Sequence, residues 1–505
     1  MRRVVAIDLG ASSGRVLVGS LTQGLLEVSE VARFSNGAVA VPRPGLEGPD
    51  QQVDLQWDTL SLWGQISEAL VRIASEGPVE AVGIDTWAVD YGLLEGQGCL
   101  IGNPMCYRSD RTEEAVKQVE SVLPSPALYS LNGLQYQPFN TIYQMVADRG
   151  REQAQIAQSL LVPDLLGFWL TGRRRCEVTN ASTTGLIDPS TRNWSPTILD
   201  VLRSELGVEA DSLLAPLVEP GTVIGPIACP GLDLRTEGGD PTPLVAVGSH
   251  DTASAVAAVP AREGEPGYTF GFVSSGSWSL AGVELREPVL SEDSRELNFT
   301  NELDVDKTVR YTKNITGLWV QQELLREWRI RPDWKVLDAK TNEAPALRTV
   351  VDINDDSFFA PGAMTPRINA AARATGQGEP RTEGEYLRTV TESLAIAYRR
   401  TLRQAETLSG KRIDVAHIVG GGSKNGLLCQ STPDATGLPV VAGPVEGTAI
   451  GNLTIQLRTI GALEGDLGAV RQLIDKSVET KEYVPDPGRL AAWDEAEARI
   501  FPQSD

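Results

Sequence analysis

Apolar and polar positions alternate around two glycine/serine turns that lie about 260 residues apart. The first hairpin is VVAID-LGASSG-RVLVGSL at 4–21, and the second hairpin is YTFGFV-SSGS-WSLAGVEL at 268–285. Apolar or β-branched runs on both sides of a small-residue turn predict a β-hairpin in each place. Because such a turn lacks large side chains, its backbone can approach a phosphate. The repetition indicates two related domains that face one ligand.

Outside the hairpins, apolar strand patterns alternate with helical periodicity. The pattern predicts a strand–turn–strand unit at 80–95, a strand at 243–249 followed by a helix, helices at 314–328 and 382–410, and a strand–glycine turn–helix joint at 415–430. The long helix should end at Gly410, which suits a C-cap. This alternation predicts an α/β fold. Breaker residues concentrate at 255–267, where we expect the domain boundary.

Composition narrows the class of ligand. The chain has 505 residues, and 45 basic against 67 acidic side chains leave a net charge of −22 with the two histidines neutral. This length suits two or three domains, and the acidity disfavours a nucleic acid or an anionic membrane as partner. The N-terminus lacks a signal-peptide core, and Pro163 and Asp164 interrupt the apolar segment at 159–170. We therefore expect a cytoplasmic protein, with reduced cysteines and no zinc site.

The turn Gly10-Ala11-Ser12-Ser13-Gly14 also matches the GxSxG pattern of serine hydrolases. That nucleophile elbow requires a helix after the serine, whereas RVLVGSL is a strand pattern. A hydrolase is therefore disfavoured.

Asp8 precedes the turn, and a carboxylate beside a phosphate is repulsive unless a cation lies between them. A Mg²⁺ ion between the carboxylate and the phosphate would remove this repulsion. The alternative for Asp8 is an Asx-turn residue.

Asp251 stands between His250 and Thr252, where an apolar strand meets a helix. Two interpretations remain open: an N-cap that satisfies helix N–H groups, or a general base that accepts a hydroxyl proton during phosphoryl transfer.

The run Gly420-Gly421-Gly422-Ser423 opens another helix. It matches neither a Walker A box nor GxGxxG, yet its bare backbone suits an adenine or ribose; the alternative is a packing turn.

Ten segments in sequence order resemble the FGGY family of carbohydrate kinases, and within that family they are most similar to the L-rhamnulose kinases. The resemblance spans residues 4 to about 480 and rests on IDLGASSGRV, GIDTWAVDYGLL, the YR and DRT residues at 107–112, VPDLLGFWLTG, EVTNASTTGL, GSHDTASAV, SSGSWSL, NITGLWVQQE, HIVGGGSKN and AGPVEGTAIGN. It implies two ribonuclease H-like, actin-like α/β domains with a ligand cleft between them. Residues 1–256 would be the sugar-binding domain with the catalytic base, and residues 257–505 the nucleotide-binding domain.

The resemblance also implies an activity: ATP- and Mg²⁺-dependent phosphorylation of L-rhamnulose at its C1 hydroxyl, giving L-rhamnulose 1-phosphate and ADP, in rhamnose catabolism. Asp251 would accept the hydroxyl proton, and Asp8 would help to place Mg²⁺, through water. The ketose would be held by Ala88, His250, Asp251 and Thr252. ATP would be bound by Ala11, Ser12, Ser13, Gly14, Arg15, Ser277, Asn314, Gln322 and Gly421.

Two of these positions depart from the usual kinase residues: Ala88 replaces a glycine, and Ser277 replaces a threonine.

The alternatives to an L-rhamnulose kinase are a kinase for another ketose, such as L-fuculose or L-xylulose, and an actin-fold ATP-binding sensor that does not phosphorylate sugar. Retention of both Asp8 and Asp251 speaks against the sensor, since sensing needs no proton acceptor.

Overall fold

The computed structural model describes residues 2–42, 53–150, 156–262 and 268–502, and the chain divides into two compact units. The first unit comprises Met1–Pro260, Glu284–Tyr311 and Thr448–Ser477, and the second comprises Ala261–Val283, Thr312–Gly447 and Val478–Asp505. The chain first passes from the first unit to the second after Pro260, close to the expected domain boundary. Two later segments belong to the first unit again. Part of the breaker-rich segment, residues 263–267, lies outside the described residues.

The described strands are β1 Arg2–Leu9, β2 Ser13–Thr22, β3 Leu25–Ser35, β4 Ala38–Pro42, β5 Val53–Trp57, β6 Ala81–Thr86, β7 Tyr91–Leu94, β8 Gln158–Leu161, β9 Cys176–Glu177, β10 Ile187–Asp188, β11 Asn193–Trp194, β12 Leu217–Val218, β13 Val223–Pro226, β14 Pro243–Val245, β15 Phe270–Ser275, β16 Ser279–Leu285, β17 Thr300–Leu303, β18 Val309–Ile315, β19 Val415–Val419, β20 Val440–Ala442 and β21 Lys481–Tyr483.

The described α-helices are α1 Thr59–Glu76, α2 Glu113–Val122, α3 Ser125–Asn132, α4 Thr141–Ala147, α5 Val162–Thr171, α6 Val178–Ala181, α7 Pro196–Leu206, α8 Ala210–Leu213, α9 Asp251–Ala257, α10 Glu292–Glu296, α11 Trp319–Glu327, α12 Trp334–Glu343, α13 Met364–Ala374, α14 Glu383–Ser409, α15 Gly426–Thr436, α16 Gly447–Thr459, α17 Leu467–Ser477 and α18 Leu490–Ile500. A short 3₁₀ helix, Gly421–Lys424, precedes α15.

The same succession of strand pairings occurs in both units. In the first, β2 pairs antiparallel with β1, β1 and β6 are parallel, β6 and β14 are parallel, and β14 is antiparallel to β13. In the second, β16 is antiparallel to β15, β15 and β19 are parallel, β19 and β20 are parallel, and β20 is antiparallel to β21. The two predicted hairpins therefore exist, and each begins an equivalent sheet, which confirms the predicted duplicated α/β fold.

Each unit has its own apolar core. In the first, α5 packs on β7 and β8, and α2 packs on α4 and α7, around buried residues that include Leu161, Leu165 and Leu202. In the second, α14 packs between α12 and α15. The α14 helix begins after Thr382, whose hydroxyl accepts the Glu385 N–H, and ends at Gly410 with φ +69°, the predicted C-cap. Helix α5 also packs on β6, β13 and β14 of the sheet that carries the first glycine turn, and α15 packs on β20 and β21 of the sheet that carries the second.

Some predicted element bounds differ from the structure. The helix predicted at 314–328 begins at Trp319, because residues 314 and 315 belong to β18 and the backbone at Gly317 lies against Ser279. A Cβ atom at Gly317 would lie 2.7 Å from the Ser279 nitrogen, so this close approach requires glycine. The strand predicted at 243–249 ends at Val245.

Within the described ranges, no helix combines the length and hydrophobicity needed to cross a membrane. The five cysteines are free thiols, and three of them are buried. The buried ones are Cys106, Cys176 and Cys429.

Candidate functional site

The turn of the first hairpin is braced by its own backbone and by Asn36. The Gly10 N–H donates to the Ser13 carbonyl at 2.9 Å, and the Asn36 side-chain amide donates to the Gly10 carbonyl at 2.8 Å. A Cβ atom at Gly14 would lie 2.2 Å from the Phe34 ring, so packing fixes this glycine. Strand β2 begins at Ser13, so the helix of a serine-hydrolase elbow is absent at this described turn.

Asp8 lies at the end of β1, where the register places it opposite Arg15 on β2 and opposite Asp85 on β6. Its carboxylate is buried and forms an ion pair with the Arg15 guanidinium. Arg15, expected to face phosphates, thus contacts the residue expected to help place Mg²⁺. Asp85 was not among the residues expected at the site, although it lies within the segment GIDTWAVDYGLL.

Asp8, Asp85 and Asp251, which we call the acidic cluster, interact electrostatically within the first unit. Burial raises the pKa of Asp8; Arg15 opposes this rise, and Asp251 adds to it. Burial also raises the pKa of Asp85 well above its usual value, Asp8 adds to the rise, and the 2.6 Å hydrogen bond from the Asn452 amide opposes it. The other oxygen of Asp85, Oδ1, is buried without a hydrogen-bond partner. The fold thus places three carboxyl groups in one region, where Asp251 adds to the raised pKa of both Asp8 and Asp85.

Helix α9 places His250, Asp251 and Thr252. His250 continues from the sheet through a parallel bridge to Thr86 and occupies the N-cap position, with extended backbone angles. Asp251 is the first helical residue, so its interpretation as the N-cap is wrong. Its carboxylate is 32% exposed and accepts a hydrogen bond from the Thr252 hydroxyl at 3.2 Å. Burial raises the pKa of Asp251, with His250 opposing the rise.

Glu177 and Asn180 fix the backbone segments next to Ala88 and His250. The Ser249 N–H and hydroxyl donate to the Glu177 carboxylate at 3.0 and 2.7 Å, and the Asn180 amide donates to the Ser249 carbonyl at 3.2 Å. The same amide lies 3.4 Å from the Trp87 carbonyl. Both residues belong to the segment EVTNASTTGL, for which sequence reasoning assigned no role.

Ala88 lies in a tight turn that polar bonds hold in place. The Asp90 N–H donates to the Ala88 carbonyl at 2.9 Å, and Val89 has φ +66°, which is unusual for a β-branched residue. The Asp90 carboxylate accepts hydrogen bonds from the Trp57 and Trp87 indoles at 2.6 and 3.1 Å. Burial raises the pKa of Asp90 to about 6 against these hydrogen bonds. This strained turn leaves Ala88 half-buried.

In the second unit the turn at 276–278 rests on the beginning of α11. The Gly276 and Ser277 carbonyls accept hydrogen bonds from the Leu318 and Trp319 N–H groups, each at 3.0 Å. The Ser277 hydroxyl donates to the Gln322 side-chain oxygen at 3.2 Å. The structure thus brings together two residues that were expected to bind ATP.

The glycine run lies against β15. A Cβ atom at Gly422 would lie 2.0 Å from the Ser275 hydroxyl oxygen, and Gly420 has φ +85°, whereas nothing lies within 4 Å of a Cβ atom at Gly421. Gly420 and Gly422 are therefore explained by backbone shape and packing, but Gly421 is an exposed, bare position. Asn314 lies half-buried on β18.

The acidic cluster fits a magnesium ion that is bound largely through water and phosphate. Within the described ranges, no group of three or more His, Cys, Asp or Glu side chains is arranged to hold a metal ion directly. Mg²⁺ commonly takes one or two protein carboxylates and completes its shell with water and substrate phosphates. The buried Asp85 Oδ1 without a hydrogen-bond partner and the mutual repulsion of the cluster are consistent with a cation nearby.

Comparisons with known proteins cover nearly the whole chain. The models for the N-terminal and C-terminal domains of the FGGY family of carbohydrate kinases match residues 3–258 and 271–460. A rhamnulokinase from Klebsiella pneumoniae (strain 342) is 38% identical over 493 residues, covering 96% of this chain and 95% of that protein. One from Enterococcus faecalis is 37% identical with the same coverage. The crystal structure of Plasmodium falciparum glycerol kinase with ADP, 14% identical, superposes with a TM-score of 0.75 over all of this chain and 99% of that one.

Proposed function

Since the chain belongs to the FGGY family of carbohydrate kinases, we propose that it transfers the γ-phosphoryl group of ATP to the C1 hydroxyl of L-rhamnulose. The products are L-rhamnulose 1-phosphate and ADP. Support for this sugar comes from the two rhamnulokinases at 37–38% identity over full length. The residues 1–256 would then bind the sugar and supply the base, and residues 257–505 would bind most of the nucleotide.

The observation that carries the proposal is the placement of Asp251. Its carboxylate lies at the start of α9, is partly exposed, and is not used as the helix cap. A base in this position takes the proton of the C1 hydroxyl as the oxygen attacks the γ-phosphorus. Burial raises the pKa of Asp251, which makes its carboxylate a stronger base than a solvated aspartate. His250, Thr252 and Ala88 would hold the ketose so that its hydroxyl meets this oxygen.

The two hairpin turns and the bare glycine would hold ATP. Residues 11–15 combine a turn of small residues with the positive charge of Arg15. Ser277 presents a hydroxyl that Gln322 orients. Asn314 and Gly421 would complete the nucleotide site. Asp8 would hold Mg²⁺ through water, and the metal would neutralise charge on the phosphates.

The deciding experiment is an ADP-release assay across a panel of ketoses. L-Rhamnulose should give the highest kcat/KM, and L-fuculose, L-xylulose and D-xylulose should be at least tenfold lower. A higher value for another ketose would reject L-rhamnulose but keep the kinase. ATP binding without phosphorylation of any sugar would favour the sensor.

A further inference from the structure

The imidazole of His250 lies between two carboxylates of the first unit. On one side, Nδ1 lies 3.1 Å from Oε2 of Glu302, which is on β17. On the other side, Nε2 lies 3.5 Å from Oδ1 of Asp251. The ring therefore connects a wholly buried acid to the residue proposed as the base.

Arg310 on β18 decides how the first contact is made. Its Nη2 lies 2.9 Å from the same Glu302 oxygen and 3.1 Å from His250 Nδ1. A guanidinium only donates hydrogen bonds, so Nδ1 can accept from Arg310 or donate to Glu302 but cannot do both. Because the guanidinium already has a carboxylate partner in Glu302, and a second in Asp304 at 3.1 Å, it does not need the imidazole as an acceptor.

Glu302 is held as an anion. Burial alone would raise its pKa, but His250 and Arg310 outweigh burial and lower the pKa to about 2. An ionised carboxylate is a pure acceptor, so it favours the ring form that carries its proton on Nδ1. Two donors, from Arg310 and His250, then converge on one carboxylate oxygen.

We propose that Glu302 is a positioning residue, which accepts the Nδ1 proton of His250 and thereby leaves the Nε2 lone pair facing Asp251 and the ketose. This inference rests on the proposed function. In the opposite tautomer, an Nε2 proton would point to the Asp251 carboxylate and compete with the C1 hydroxyl for it. Glu302 thus keeps the base available and makes Nε2 an acceptor for a neighbouring sugar hydroxyl.

The first test needs neither substrate nor activity. The chain has two histidines, so nitrogen NMR of the full-length protein with labelled histidine gives two imidazoles, and His417→Gln assigns them. We expect the His250 proton on Nδ1 in the parent protein. In Glu302→Gln the amide can donate to Nδ1, so the proton should move to Nε2. A parent ring with an unprotonated Nδ1, a parent ring protonated on both nitrogens, or a Glu302→Gln ring that keeps its Nδ1 proton would overturn the proposal.

The second test asks whether Glu302 acts through His250 or through Arg310, because its carboxylate contacts both side chains. Glu302→Gln should raise KM for the ketose and lower kcat, each by roughly tenfold, while KM for ATP stays constant. Asp304→Asn is the matched control, because it removes a carboxylate from Arg310 without contacting His250; it should stay within about twofold of the parent in each constant. Equal losses in both variants would assign the effect to the arginine and overturn the proposal.

The two tests distinguish this proposal from the proposed function. If the parent protein phosphorylates no ketose, the proposed function fails, and the NMR experiment still decides whether Glu302 takes the Nδ1 proton. If the parent is an active kinase and the tautomer is unchanged in Glu302→Gln, the positioning role alone fails.

Discussion

The two hairpins share a backbone plan but differ in charge. In the first hairpin, Asp8 lies opposite Arg15 on the antiparallel neighbour and Asp85 on the parallel neighbour. In the second hairpin, the residue one position before the strand ends is Ser274, and its corresponding neighbours are Leu280 and Val419. Three ionisable positions in one sheet therefore correspond to one hydroxyl and two apolar side chains in the other.

This difference in charge indicates that the two hairpins have different roles. Ionised side chains suit proton transfer and a metal ion, and they cost free energy when buried, so a fold retains them where the chemistry uses them. A neutral turn with hydroxyls and bare backbone suits recognition of a nucleotide. Ser275 and Ser279 of the second hairpin are 3.1 and 2.7 Å from the Tyr398 hydroxyl, so they stabilise the turn itself.

The largest effect should come from Asp251→Asn. An amide cannot take the hydroxyl proton, so kcat should fall on the order of 10²–10⁴-fold, while sugar affinity persists. The melting temperature should change little, because His250 rather than Asp251 occupies the helix N-cap. The measurement is kcat, sugar affinity and melting temperature on one preparation. Turnover within a few-fold of the parent would show that Asp251 is not the base.

Asp8→Asn tests the charge difference between the hairpins directly. We expect kcat to fall by at least roughly tenfold, with more Mg²⁺ needed for half-maximal rate and for tight binding of ATP in calorimetry. Because its folded pKa is raised, the Asp8 charge is a net cost, so the melting temperature at pH 7 should hold or increase. Ser274→Ala, at the corresponding position, removes no charge, so it should leave the Mg²⁺ requirement unchanged. An equal increase of the Mg²⁺ requirement in both variants would contradict the proposed difference between the hairpins.

The two neighbouring glycines sharpen the description of the second hairpin. Gly422→Ala forces a Cβ atom to within 2.0 Å of the Ser275 hydroxyl and should destabilise the protein by about 1–3 kcal/mol. Gly421→Ala meets open space, so the melting temperature should not change while KM for ATP rises by a few-fold. Unfolding curves and ATP titrations measure both. If Gly421→Ala leaves ATP affinity intact, the nucleotide does not lie on this glycine.

The smallest effect is expected for Ala88→Gly. If the Ala88 methyl group crowds the ketose, its removal should lower KM for L-rhamnulose, and one methyl group in a pocket is worth roughly 1–3 kcal/mol at most. KM for ATP serves as the internal control and should not change. An unchanged KM for the ketose would mean that the strained turn at Val89 has already moved the methyl group aside.

Local patterns in the sequence predicted much of the fold. The two hairpins, the helix that ends at Gly410 and the strand before the glycine run follow from residue periodicity and turn chemistry within short segments. Family motifs supplied the candidate site residues, and those assignments stay proposals. The N-cap interpretation of Asp251 failed because a shift of one residue in where a helix starts lies within the uncertainty of sequence patterns.

The sequence by itself therefore determined several local elements, among them the two hairpins and the helix that ends at Gly410, and the residue types at their ends. Tertiary structure alone decided that Asp85 lies beside Asp8, because parallel pairing of β1 with β6 sets this register across a long connection. It also decided that Glu302 and Arg310 reach His250 from a segment that returns to the first unit. A buried carboxylate acquires its role from partners that are distant in sequence, and no local pattern of residues specifies which partners the packing will bring.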